Sequence, residues 1–285
     1  DFKTIEDIIF ASRGKLASIY GRDAAVNDYY VELMNFWGLI DDKYESEVKT
    51  EVKLLCEGYA AGINKYLKDN PEKRTKSFED VIAEDVIAGF SHRMPLMFGL
   101  DGLLKKLSKK KIPESFGQNT DIQEGSFDMT ASNVMAIAPQ RSSDGYTRLW
   151  LNTHQPWEGP VAWYEAHLES KEGWDFYGAL FPGSPVPLIG HNKNLGWSHT
   201  VNSPDLIDVY KLTINKQNEN QYWFEGYWKD FDIRTVDIKV KIIGPFSWTF
   251  KREVKTSIHG PVLDFSHGTY SLRISSIKNL DNSYA

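Results

Sequence analysis

One boundary decides most of what this 285-residue chain can fold into. Up to about residue 104 the apolar side chains recur every three or four positions; from Ser132 onward they alternate or run unbroken between turn residues. Ile5, Ile8, Ile9, Leu16, Ile19 and Tyr20 share a helical period that Gly21 stops, and a second helix covers about 23–37. Val48, Val52, Leu55, Tyr59, Ile63 and Tyr66 step along one face of a third helix, ended by Asn70-Pro71. Ser77 with Asp80 reads as a capping pair for a fourth, Phe78 to about Met97, with Pro95 kinking its last turn. After Ser132 come β-branched and aromatic runs over 132–138, 147–152, 161–168, 174–180, 196–201, 206–214, 222–227, 236–243 and 246–254. Helices first and strands afterwards is the α+β order. Three regions follow: 1–104 helical, 105–131 a connector, 132–285 strands. The connector carries the basic run from Lys105 to Lys111, then Pro113, Gly117 and Gly125, and has no period of either kind, which predicts an exposed, solvated segment.

Charge and composition exclude several classes. A net charge of -6 provides no basic face for nucleic acid. No apolar run approaches the roughly 18 residues of a membrane-spanning helix. Cys56 is the only cysteine, so no internal disulfide forms, and a buried position suits it. Most of the nine tryptophans stand in strand runs, where core packing is the expectation.

Chemistry concentrates downstream of Thr130-Ala131-Ser132-Asn133-Val134, where a Gly-punctuated polar stretch gives way to an apolar strand at a serine. If the bond before Ser132 is cut, that residue carries both a hydroxyl nucleophile and, in its α-amine of pKa about 7.7–8.0, a base. A strand that simply begins at a turn residue is the plain alternative. Further on stand Asn152-Thr153-His154-Gln155-Pro156-Trp157, Phe181-Pro182-Gly183, Ile189-Gly190-His191-Asn192, Trp197-Ser198-His199-Thr200-Val201 and Asp205-Leu206-Ile207-Asp208.

Together these stretches and their spacing from Ser132 resemble the β-chain start of the penicillin acylase family of N-terminal-nucleophile hydrolases, and within it the acyl-homoserine lactone acylases. Arg13-Gly14-Lys15-Leu16-Ala17 and Glu57-Gly58-Tyr59-Ala60-Ala61-Gly62-Ile63-Asn64 resemble the α-chain. The resemblance implies an αββα sandwich preceded by a helical region, in an internal piece of a longer precursor. It implies cleavage between Ala131 and Ser132, although the family often has glycine where Ala131 stands. It implies Ser132 as nucleophile, His154 orienting its amine, and the Val201 N–H facing the oxyanion. His154 stands where the penicillin acylases carry glutamine.

Gln155, Ile189, Met94 and Phe98 would line the acyl pocket, the last two one helical turn apart. Asp205 and Asp208 match carboxylates that hold a structural calcium in some members; no cofactor is required. The expected substrate is an N-acylated small molecule such as an acyl-homoserine lactone, handled by α- and β-chains of one precursor in the periplasm or outside the cell. A penicillin or cyclic lipopeptide acylase uses the same machinery with another pocket. From a different class, a β-rich ligand-binding module would fit the strands without any self-made break. His167, His191 and His199 lack zinc-site spacing and are expected to be structural.

Overall fold

The computed structural model describes residues 2–109, 132–201, 205–275 and 280. They form a mixed α+β protein that divides into two compact units: the first holds the described residues of Asp1–Ile8 and Phe127–Ser203, the second those of Ile9–Ser126 and Pro204–Ala285. The sequence-based expectation for Ala131 and for the connector from 110 onward falls outside the described residues.

The helices differ from expectation where side chains compete with the helical ladder. The first helix splits: α1 (Phe2–Ser12) ends before Gly14, which has positive φ, and α2 (Ala17–Tyr20) restarts. Buried Asp28 makes the restart, accepting hydrogen bonds from the Leu16 and Ala17 amides at 2.9 Å each. Likewise the second helix breaks at Asn35, whose left-handed φ of 55° separates α3 (Ala25–Met34) from α4 (Phe36–Glu47). α5 (Thr50–Asp69) ends at Asn70 as expected, but its buried stripe is Cys56, Ala60, Ile63 and Leu67, while Leu55 and Tyr66 are exposed. The stripe turns because small Cys56 lets the helix pack closely against Val86, Ile87 and Ala88 of α6 (Ala83–Met97). Burial there pushes the Cys56 thiol up to about 11.

α6 starts five residues later than the Ser77/Asp80 pair suggests. Asn64 grips the extended backbone of Val81 from both sides, taking its N–H at 2.9 Å and donating to its carbonyl at 2.8 Å. Asp85, not Asp80, takes the Ile82 amide at 2.8 Å. Asp85 also receives Arg13 Nε at 2.7 Å and Nη2 at 2.6 Å, a bidentate, nearly buried ion pair between α6 and the turn after α1. Pro95 does lie inside the last turn of α6. The basic run begins within a helix rather than a loop: Lys105 and Lys106 belong to α7 (Leu100–Ser108), which buries Leu100, Leu103 and Leu107.

These leucines join Tyr30, Val31, Met34 and Phe36 in a core shared with three antiparallel strands, β13 (Val262–Phe265), β14 (Gly268–Ile274) and β7 (Ile207–Leu212), ordered β13-β14-β7. The same unit holds β8 (Ile214–Asn215), β9 (Asn218–Phe224) and β10 (Tyr227–Asp230) in a second sheet. A long two-stranded hairpin, β11 (Asp232–Ile243) with β12 (Phe246–Thr256), is a sheet of its own, and Val236, Ile238 and Val240 bury its inner face against Leu33 and Ala17.

In the first unit β1 (Ser132–Ile137) pairs antiparallel with β2 (Arg148–Thr153). β3 (Tyr164–Glu169), β4 (Asp175–Leu180), β5 (Ile189–His191) and β6 (Gly196–Trp197) form a four-stranded antiparallel sheet in that order. The strand expected over 196–201 is thus only two residues long. Six of the nine tryptophans, Trp150, Trp157, Trp174, Trp223, Trp228 and Trp248, are exposed, against the expectation of core packing.

Candidate active site

The ladder of β1 and β2 begins with Ser132 opposite Thr153 and continues with Asn133 opposite Asn152. A serine at the first position of one strand is thereby set against the last residue of its neighbour, and His154 follows one residue on. Ser132, Thr153 and His154 are all half-buried. Nδ2 of Asn133 lies 3.4 Å from Nε2 of His154, a long contact that uses Nε2 as acceptor and leaves the ring proton on Nδ1. Sequence reasoning singled out Ser132 and His154 but missed Asn133, whose signal is its place beside Ser132 on a strand paired with β2. Trp157 stands fully in solvent, so it does not pack over the histidine.

Gln155, next in the chain, is half-buried, and its Oε1 is enclosed with no hydrogen-bond partner among the described residues. The same is true of Trp163 Nε1, whose indole stacks on Phe181 with ring centroids 4.4 Å apart. An enclosed acceptor and an enclosed donor without partners are uncommon enough to mark places where a further polar group is expected.

Ile189 is buried on β5, and its position follows from glycines. Gly190 faces Gly178 directly across the β4–β5 pairing, so closely that a Cβ on Gly190 would stand 2.5 Å from the Gly178 Cα and 2.2 Å from the Tyr177 carbonyl oxygen. Gly190 also has φ 147°, which side chains rarely adopt. Trp197 then fixes the next segment: its Nε1 donates to the Leu188 carbonyl at 2.8 Å and its indole lies 4.6 Å from the Phe176 ring. Asn192 closes the turn between β5 and β6 by accepting from the Asn194 and Leu195 amides, each at 2.8 Å. The Ile-Gly-His-Asn and Leu-Gly-Trp stretches are therefore framework, and what they hold in place is Ile189. Val201 is exposed at the end of that run.

The remaining candidates lie in the second unit. Met94 is half-buried in the last turn of α6 and Phe98 is the residue that caps it, partly exposed, with its amide donating to the Met94 carbonyl at 3.2 Å. Asp205 and Asp208 are exposed, and among the described residues no three His, Cys, Asp or Glu side chains converge as metal ligands. Two exposed carboxylates do not by themselves supply the six to eight oxygens of a calcium cage. Of the histidines without an assigned role, His167 bonds Asp175 at 2.8 Å, His191 packs against Tyr177, and His199 is exposed.

Comparison with known proteins gives this geometry its class. The penicillin amidase family matches residues 1–284, and the chain belongs to that family. It is 28% identical over 285 residues to the acyl-homoserine lactone acylase PvdQ of Pseudomonas fluorescens strain Pf0-1, covering 92% of this chain and 36% of that protein. Over 119 residues it is 31% identical to aculeacin-A acylase of Actinoplanes utahensis, covering 42% of this chain and 15% of the relative. Among solved structures a thermostable penicillin G acylase from Alcaligenes faecalis matches at TM-score 0.40 and 25% identity, over 50% of this chain and 25% of the other. The chain thus spans little more than a third of the length of the first of these relatives.

Proposed function

We propose that the chain is part of an amidohydrolase that removes the acyl group from an N-acylated small molecule, with Ser132 as an amino-terminal nucleophile. The observation that carries this reading is the placement of Ser132 at the first rung of the β1–β2 ladder, opposite Thr153 and one residue from His154. Attack of the Ser132 hydroxyl on the Ala131 carbonyl, followed by hydrolysis of the resulting ester, frees the amine. In turnover that amine takes the hydroxyl proton as Oγ attacks the substrate carbonyl, and returns it to the leaving amine. The acyl-enzyme is then hydrolysed by water deprotonated by the same amine, releasing the acid. His154 orients the amine, with Asn133 holding the ring. The backbone N–H of Val201 faces the developing oxyanion.

Buried Ile189 suits an aliphatic acyl chain better than a flat aromatic ring, because a branched aliphatic wall does not make a slot. Gln155 adds a place for a hydroxyl-bearing chain. Met94 and Phe98 enter as pocket walls on the family resemblance alone, as do the αββα layering and a periplasmic or secreted location. Similarity to aculeacin-A acylase supports a second reading, a lipopeptide acylase working through the same Ser132.

Intact mass and amino-terminal sequencing of the full-length product test the proposal. Wild type yields a chain beginning at Ser132 and Ser132→Ala stays in one piece. Prolonged incubation that leaves wild type uncut and unable to hydrolyse any acyl amide overturns it.

A further inference from the structure

The β11–β12 hairpin has an outer end that the core does not use. Val236, Ile238 and Val240 are buried, but beyond them Ile242, Ile243, Phe246 and Trp248 project into solvent, with Ile243 at 73%, Phe246 at 71% and Trp248 at 65% exposure. The ladder shifts register between Lys241 and Ile243, so Ile242 bulges out at the tip. Single exposed apolar residues need no explanation, whereas four large ones within seven positions of one hairpin end do.

The charge around the tip has the opposite sign to the chain's net charge of -6. Lys239, Lys241 and Lys251 alternate onto the face turned away from the buried valines, by the register that sets Lys239 against Thr249, Lys241 against Ser247 and Lys251 against Asp237. Among the described residues none of the three forms an ion pair. Arg252 follows, over the Phe250 ring at 5.8 Å. The acids of the hairpin, Asp232, Asp237 and Glu253, all lie further from the tip than Lys239 and Lys241.

We propose that this hairpin end is a docking site for an anionic lipid surface. Two to three residues per strand at about 3.3 Å each give the apolar tip a reach of roughly 7–10 Å, which matches the depth of the boundary between headgroups and acyl chains. Trp248 then lies at the level that tryptophan favours, and the lysines stand where their long side chains meet phosphates. A purely apolar partner would leave the lysine row unmatched; an anionic bilayer answers both features. No helix among the described residues is long and apolar enough to cross a membrane.

Sedimentation of the intact protein with vesicles tests this. With vesicles of phosphatidylcholine and phosphatidylglycerol at 7:3 and low salt, the protein moves to the pellet; with pure phosphatidylcholine it stays in solution. Each of Lys239→Glu and Lys241→Glu weakens partitioning by about fivefold or more, and added salt releases the protein. The double variant F246S/W248S, altered only at exposed positions, loses binding while its circular dichroism and melting are unchanged. Equal binding to both vesicle types, or binding that survives the hairpin variants, overturns the proposal. So does a concentration-dependent dimer that F246S/W248S abolishes in the absence of lipid binding, since the tip would then be a contact between copies.

Discussion

Asn133 Nδ2 stands 3.4 Å from His154 Nε2, across the first two rungs of the strand pair that opens at Ser132. With Nε2 accepting, the ring presents its Nδ1 proton as a donor, an arrangement that positions an amine or a water without contributing a charge. In the proposed mechanism His154→Ala should lower kcat/KM by roughly 10²-fold, the scale of a misplaced reacting group, while the Ser132 terminus still forms. His154→Gln puts a side-chain amide, likewise a donor and an acceptor, at the same place and should retain most of the activity. Steady-state rates with amino-terminal sequencing check both; equal losses in the two variants would remove the orienting role.

Acyl length is the second measurable consequence of the proposed function. Each methylene buried contributes about 0.8 kcal/mol, so kcat/KM should rise from butanoyl toward dodecanoyl lactones until the pocket is full. A 3-hydroxyacyl chain can donate to Gln155 Oε1, and Gln155→Leu should erase any preference for it over the unsubstituted chain. A flat series with penicillin G at its head would refute the pocket argument and leave Ser132 untouched.

Gly190→Ala should be severe, because its Cβ would meet the Tyr177 carbonyl oxygen and the Gly178 Cα, both backbone atoms of the adjoining strand. Neither can swing aside. A loss of about 3 kcal/mol or more is expected, in the range reserved for backbone conflict and strain. Urea unfolding of Gly190→Ala beside a Gly145→Ala control, at a glycine with open space around it, separates crowding from the effect of positive φ alone.

His92 makes stability depend on pH. Asn27 Nδ2 donates to the Ala11 carbonyl and to Asp28, which turns Asn27 Oδ1 toward His92 Nε2 at 2.7 Å and fixes Nε2 as the protonated nitrogen of a neutral ring. Burial first, then the neighbouring Arg93 guanidinium, lowers the His92 pKa to about 4. The unfolded ring titrates near 6.5, so the unfolded state binds the extra proton first as pH falls. This contribution is complete above pH 6.5 and is lost between about 6.5 and 4, by roughly 3 kcal/mol at most. Denaturant midpoints at pH 7.5 and 4.5 should fall further for wild type than for His92→Leu. Parallel falls would show that His92 is not the group responsible.

How far these features could be read from the chain depended on the range of the interaction. Ser132 at a strand start, the strand ending near Thr153, and the Pro95-bearing helix are local patterns, and all stood in the sequence. α7 did not, since the lysines of its solvent face masked the Leu100, Leu103 and Leu107 stripe. The start of α6 was misread because Asn64, seventeen residues upstream, replaces the helical hydrogen bonds of Val81. Gly178 matters only through its pairing with Gly190 on the adjoining strand, and Asn133 only through the ring opposite, and neither partner is local in sequence.

The joint between α3 and α4 carries a constraint on how this chain can diverge. A Cβ on Gly38 would fall 2.5 Å from the side-chain amide of Asn35, so the two positions share one small volume. Alanine at 38 requires the Asn35 side chain to turn to another rotamer, and asparagine is among the few side chains that tolerate the left-handed backbone at 35. Glycine at 35 meets both demands. Substitutions at this joint are therefore coupled: growth at residue 38 displaces the side chain at residue 35, so the cost of one change depends on whether the other has already been made.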